Sequence, residues 1–180
     1  IGVTVWRPWG GNPETPGAGA EQPAAALPTI AVLPFVNRSD DPRQEYFADG
    51  VSEDLITDLS ALSGVVVVAR SASFRYKGTK VDPQAVGKQL GADFILEGSV
   101  RKAGGFVRIT AQLVDARTGT QRWAERYDRQ TVGAFSFQDE VTRSIVKAMA
   151  IRLTPKEQQQ LGRTTTSNFE AYDLFLRGQK

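Results

Sequence analysis

Apolar and polar positions along the chain follow two periods, and the switches between them mark the elements. Thr29-Ile30-Ala31-Val32-Leu33-Pro34-Phe35 is a short continuous apolar run with β-branched residues, ended by a proline. That is the pattern of a strand buried on both faces. Residues 37–42 read as a loop. Phe47, Val51, Leu55, Leu59 and Leu62 then recur every three or four positions, with Ile56 widening the stripe. The spacing predicts an amphipathic helix over 45–62, with Asp49 or Ser52 as N-cap and Gly64 as stop. Val65-Val66-Val67-Val68-Ala69 reads as a second strand, apolar on both faces. A polar connection over 71–78 follows. Asp82-Pro83 then opens a helix, with Asp at the N-cap and Pro in the first turn, and Gly91 ends it.

The period changes to two after Gly91. Phe94, Leu96, Gly98 and Val100 share one face, as do Val107, Ile109, Ala111 and Leu113. Trp123, Glu125 and Tyr127 oppose Arg122, Ala124 and Arg126. Gly104-Gly105 and Arg117-Thr118-Gly119-Thr120 are the turns. The alternation predicts a three-stranded antiparallel meander with one polar face. Phe137, Val141, Ile145, Met149 and Leu153 mark a last long helix over 135–153. The order is β-α-β-α-β-β-β-α, an α/β fold with a mixed sheet. Its first strands are joined by parallel crossovers and its helices pack on one face.

Composition narrows the chemistry. The 180 residues contain no Cys and no His, so thiolate nucleophiles, imidazole bases and zinc sites built on either are excluded. The net charge of +2 is too small to mark a nucleic-acid-binding chain by itself. No glycine-rich phosphate loop occurs, and no cofactor is expected.

Three clusters remain. Asp49, Glu53 and Asp54 suit a cation or acid–base site, but read better as carboxylates complementing a helix N-terminus. Arg70, Ser71 and Ser73, with Lys77 and Lys80 nearby, follow the second strand, where open α/β sheets hold ligands. They are the best candidate for an anion- or nucleotide-like ligand site, although a loop satisfied by its own serines is the favoured reading. Arg101, Lys102, Arg108, Arg122, Arg126 and Arg129 lie on the meander. There, cross-strand pairing with Glu97, Glu125 or Asp128 is favoured over nucleic acid.

Several segments together carry a family likeness. They are Ile30-Ala31-Val32-Leu33-Pro34-Phe35, Tyr46-Phe47-Ala48-Asp49-Gly50-Val51, Val68-Ala69-Arg70-Ser71-Ala72-Ser73-Phe74 and Leu96-Glu97-Gly98-Ser99-Val100-Arg101. Arg108-Ile109-Thr110-Ala111-Gln112-Leu113-Val114-Asp115 and Trp123-Ala124-Glu125-Arg126-Tyr127-Asp128 complete the series. In this order they resemble the TolB-like amino-terminal-type domain of bacterial membrane-anchored signalling proteins.

The resemblance implies a non-catalytic extracytoplasmic interaction or sensor module, anchored in the inner membrane on its periplasmic side. It implies an upstream output domain, such as an adenylate cyclase, and tetratricopeptide repeats downstream. The architecture points to a protein partner, met through the sheet edge or the repeats, and not to nucleic acid.

On this reading residues 1–6 end a membrane helix that tethers the chain. A Pro/Gly/Ala linker covers 7–28, the α/β domain 29–153 and a polar linker 154–167. Residues 168–180 begin a tetratricopeptide-type repeat, whose Phe169, Tyr172, Leu174, Phe175 and Leu176 are more apolar than a lone short helix can bury.

Overall fold

In a computed structural model, residues 26–130, 137–160 and 168–179 are described. The expected tether at 1–6 and most of the linker at 7–28 lie outside them. The elements are β1 (Thr29–Val32), β2 (Val36–Asn37), α1 (Glu45–Ser60), β3 (Val66–Val67), α2 (Arg70–Ser73) and α3 (Pro83–Leu90). They continue as β4 (Phe94–Ala103), β5 (Phe106–Asp115), β6 (Thr120–Gln130), α4 (Phe137–Ala148), α5 (Pro155–Gln160) and α6 (Phe169–Gly178).

The α/β class stands. The sheet runs β3-β1-β4-β5-β6, with β2 also on β4. β1 pairs parallel with β3 and β4, while β4, β5 and β6 form the antiparallel meander. The apolar alternation decides the faces. Leu96, Val100, Ile109, Ala111 and Leu113 point into the main core, where Phe47, Val51, Leu55 and Leu59 of α1 and Val141 and Ile145 of α4 cover them. α3 is the exception to one-sided packing. Its Val86 joins Ala31, Leu33 and Ile95 in a small core on the opposite face.

The first predicted strand is split. Pro34 has no amide to give the ladder, and Phe35 N–H leaves the sheet for Ser52 Oγ at 2.9 Å. Pairing resumes at Val36, opposite Ser99. β3 is a two-residue edge strand rather than a strand buried on both faces, and Val66 is 48% exposed. The expected polar connection after it is α2 followed by a 3-10 turn, Phe74–Tyr76.

Neither Asp49 nor Ser52 is an N-cap. Asp41 caps a 3-10 turn, Pro42–Gln44, which runs straight into α1. Ser52 is therefore internal and donates to Ala48 O at 2.8 Å. Asp82 does cap α3, accepting from the Gln84 and Ala85 amides, and Gly91 takes the left-handed conformation behind it.

α4 ends before the predicted boundary. Ala150 sits at φ 55, and the Ile151 amide reaches back to Val146 O at 3.0 Å. That is the Schellman closure, with alanine where glycine is usual.

α5 falls inside the polar 154–167 stretch. Thr154 and Glu157 hold its first turn by accepting each other's amide protons at 2.7 and 3.3 Å. α6 buries Phe169, Tyr172 and Leu176 against α1, so the partner it needs on that side lies within the chain. Its other face is open: Leu174 is 60% and Phe175 56% exposed.

Candidate functional site

The predicted ligand residues sit on the segment that leaves β3 and crosses the N-terminal half of α1. That half carries Glu45, Asp49 and Glu53 at successive i, i+4 positions, which lie on one helix face. Arg70 Nη2 meets Glu53 Oε1 at 2.5 Å, and its guanidinium stacks 4.1 Å from the Phe74 ring centroid. Lys77 Nζ meets Asp49 at 2.5 Å and Glu45 at 3.3 Å. Burial works to lower the Lys77 pKa, but the two carboxylates outweigh it and hold the ammonium above its ordinary value.

Ser71 is exposed, whereas Ser73 is fully buried and its hydroxyl has no partner among the described residues. The four residues therefore lie on one short segment, with both cations already engaged. An incoming anion would have to displace Glu53, or Asp49 and Glu45, from its cation. The arrangement as it stands is a clamp that fixes the α2 segment on α1.

The same contacts account for the acidic cluster. Asp49 and Glu53 lie beyond the first turn of α1, where the dipole effect has faded, so they do not complement its N-terminus. They serve the cations across the gap. Asp54 accepts instead from Tyr172 OH of α6 at 2.5 Å. Among the described residues no group of three or more carboxylates is placed to hold a metal ion.

On the meander, Trp123 and Tyr127 pack toward the core, opposite Arg122 and Arg126. Arg108 pairs with Asp128 at 2.6 Å and Arg122 with Asp115 at 2.8 Å. Lys102 and Arg129 point to the helical side, toward Asp173 and Glu140. Cross-strand pairing thus holds for Asp128. Glu97 bonds to Gln112, and Glu125 to Tyr127 OH, rather than to arginine.

One concave feature escaped sequence reasoning. A groove of about 460 Å³ opens under the sheet, between β2 and the turn after Tyr76. Arg38 and Lys80 line it. Residues so far apart in the chain make no motif: the parallel pairing of β2 with β4 places Arg38, and the turn after Tyr76 brings Lys80 to the same hollow.

A protein of Rhizobium meliloti (strain 1021), provisionally named adenylate cyclase 3, is 47% identical over 182 residues. The match covers 100% of this chain and 31% of that relative, so the chain spans about a third of its length. TolB from Acinetobacter baumannii superposes with a TM-score of 0.51 at 16% identity, over 69% of this chain and 28% of TolB. That likeness shows a TolB-like fold. Lipoprotein GNA1162 from Neisseria meningitidis gives a TM-score of 0.49 at 23% identity, over 70% of this chain and 99% of its own. The family described as HilA/YgeH-like transcriptional regulator, second domain, matches residues 25–148. With that match over most of its length, the chain belongs to the family of HilA/YgeH-like second domains.

Proposed function

We propose that this domain is a non-catalytic interaction and relay module of a membrane-anchored bacterial signalling protein. It stands on the extracytoplasmic side and is linked to a cytoplasmic output domain, an adenylate cyclase. The observation that carries this reading is the two-sided chemistry of α6. Its inner face is bolted to the core through Phe169, Tyr172 and Leu176, while Leu174 and Phe175 remain 60% and 56% exposed.

A rigid domain that offers an apolar helix face is built to receive another element. In this reading α6 opens a tetratricopeptide-type repeat whose next helix covers that face, and a protein partner docks on the repeats or along β6. No further strand pairs with β6 among the described residues. The cyclase link is supported by the name of the Rhizobium relative, and the modular context by the family description. The membrane side rests on the resemblance to TolB-like signalling domains. Among the described residues no helix is long and apolar enough to cross a membrane.

The test uses the full-length parent protein. Leu174→Ser with Phe175→Ser should lower or uncouple cyclic AMP output while the isolated domain keeps its melting temperature. A reporter fused after residue 180 should place that end outside the cytoplasm. Unchanged output in the double variant, or a cytoplasmic reporter signal, overturns the reading.

A second reading is a small anion or nucleotide-like ligand held by Arg70, Ser71, Ser73 and Lys77. The buried, unpartnered Ser73 hydroxyl favours it. Thermal stabilisation by such a ligand, lost in Arg70→Ala, would establish it.

A further inference from the structure

The helical layer under the sheet is short. α3 covers Ala31, Leu33 and Ile95, and beyond them the underside of β4 and β5 is uncovered. There the sheet turns polar: Glu97 faces Gln112 and Ser99 faces Thr110 in register. Val36 of β2 and Arg38 just after it form one wall of the resulting groove, and Tyr76, Lys80 and Val81 form the other.

Two cations unpaired among the described residues meet in this hollow. Arg70, Lys77, Lys102, Arg108, Arg122 and Arg129 each have a carboxylate partner within 3.3 Å. The guanidinium of Arg38 and the ammonium of Lys80 have neither a hydrogen bond nor an ion pair among the described residues, and they flank the same floor. The hydroxyls of Ser99 and Thr110 likewise have no partner there. The groove's carboxylate, Glu97, is engaged by Gln112 Nε2 at 2.5 Å. Two uncommitted cations and one committed carboxylate leave the groove with a net charge of +1. Apolar surface from Leu33, Pro34, Val36 and Val81 lines the rest.

We propose that this groove binds a small organic monoanion with an apolar body, such as an aliphatic carboxylate. The carboxylate would accept from Arg38, Lys80 and the Ser99 and Thr110 hydroxyls, and the apolar tail would lie on Leu33, Val36 and Val81. A volume of about 460 Å³ suits a ligand of that size and is too large for inorganic phosphate alone. The groove is independent of the α6 face and shares no residue with the α2 clamp.

Octanoate is the probe, with octylammonium as its charge-reversed control, both titrated calorimetrically against the intact chain at low salt. Octanoate should bind saturably and more weakly as salt rises, and octylammonium should not bind. Arg38→Gln and Lys80→Gln should each weaken octanoate by about tenfold, the loss of one charge-assisted contact. Lys156→Gln, on α5 and outside the groove, should leave the affinity unchanged. Neither groove variant should alter the melting temperature, since neither side chain has a partner to lose. Equal binding of octanoate and octylammonium, full affinity in both groove variants, or no saturable octanoate binding overturns the proposal.

Discussion

Lys102 of β4 donates to the Asp173 carboxylate of α6 at 3.0 Å, tying the far end of the meander to the last helix. Asp173 also accepts from Tyr46 OH of α1 at 2.6 Å and pairs with Arg177 at 2.7 Å. The Lys102 ammonium lies 4.9 Å from the Phe169 ring centroid, so it is enclosed by the helix it anchors. Burial presses the Asp173 carboxyl toward the neutral form, but Tyr46, Lys102 and Arg177 hold its pKa below the ordinary value. Asp173→Ala leaves a largely buried lysine unpaired and should cost about 2–4 kcal/mol. Asp173→Asn keeps the Tyr46 contact and should cost less. Denaturant unfolding gives the totals, and amide exchange should locate the loss in α6. Unchanged α6 protection in Asp173→Ala would contradict this account.

Glu157 controls a pH-dependent latch. Its carboxylate accepts the Ser63 amide at 2.6 Å and the Thr154 amide at 2.7 Å, joining α5 to the end of α1. Those backbone bonds depress its pKa to about 2, from an ordinary 4.5. The folded pKa lies below the unfolded one, so the stabilisation is complete above about 4.5 and is lost as pH falls toward 2. Exchange protection at Ser63 and Thr154 should fall through that window. Glu157→Gln should remove the pH dependence at both amides, and a retained titration would rule Glu157 out as its source.

Asp58 has the opposite sign. Burial, then the nearby Asp54 and Asp139 carboxylates, push its pKa up to about 6 from 3.8. The folded form prefers the neutral acid. The stability it contributes is full below about 3.8 and disappears as pH rises through about 6. At pH 7 the group is ionised at a cost. Asp58→Asn should therefore stabilise the protein at pH 7 by about 1–2 kcal/mol, allowing for partial solvent screening. The gain should vanish below about pH 4. Melting temperatures of both proteins across pH 3–8 check it, and parallel curves would refute it.

Legibility in the sequence followed the range of the physics. Asp82-Pro83 and Gly91 bound α3 by chemistry confined to one turn, and the meander's alternation named its core face residue by residue. The split of the first strand needed Ser52, 17 positions from Phe35, to take the amide that Pro34 displaced from the ladder. The Glu45, Asp49 and Glu53 row is visible as spacing, but its partners Arg70 and Lys77 are set by how β3 returns over α1. Periodicity showed that α6 has an apolar face. It did not show that Phe169, Tyr172 and Leu176 would dock on α1 while Leu174 and Phe175 stayed out. Lys80 is visible in the sequence as a neighbour of the Arg70 segment, but nothing joins it to Arg38, because residues without partners leave no pairing pattern to read.

Gly98 decides whether β4 can lie where it does. The Phe35 ring, turned inward once the chain leaves the ladder at Pro34, packs directly on it. A Cβ at Gly98 would fall 2.5 Å from Phe35 Cε2 and would also overlap the Thr110 carbonyl oxygen. Strand propensity alone favours Gly98→Ala, because glycine weakens a strand interior by up to about 1 kcal/mol. Overlap with backbone and with a fully buried ring outweighs that gain. It costs about 1–3 kcal/mol or more, because neither neighbour is a flexible side-chain end. Gly98→Ala should therefore destabilise. Phe35→Leu in the same chain should recover part of the loss by making room on the ring side. A double-mutant cycle in denaturant measures this coupling. Strictly additive effects would show that the ring does not set the glycine requirement, leaving the Thr110 carbonyl as its cause.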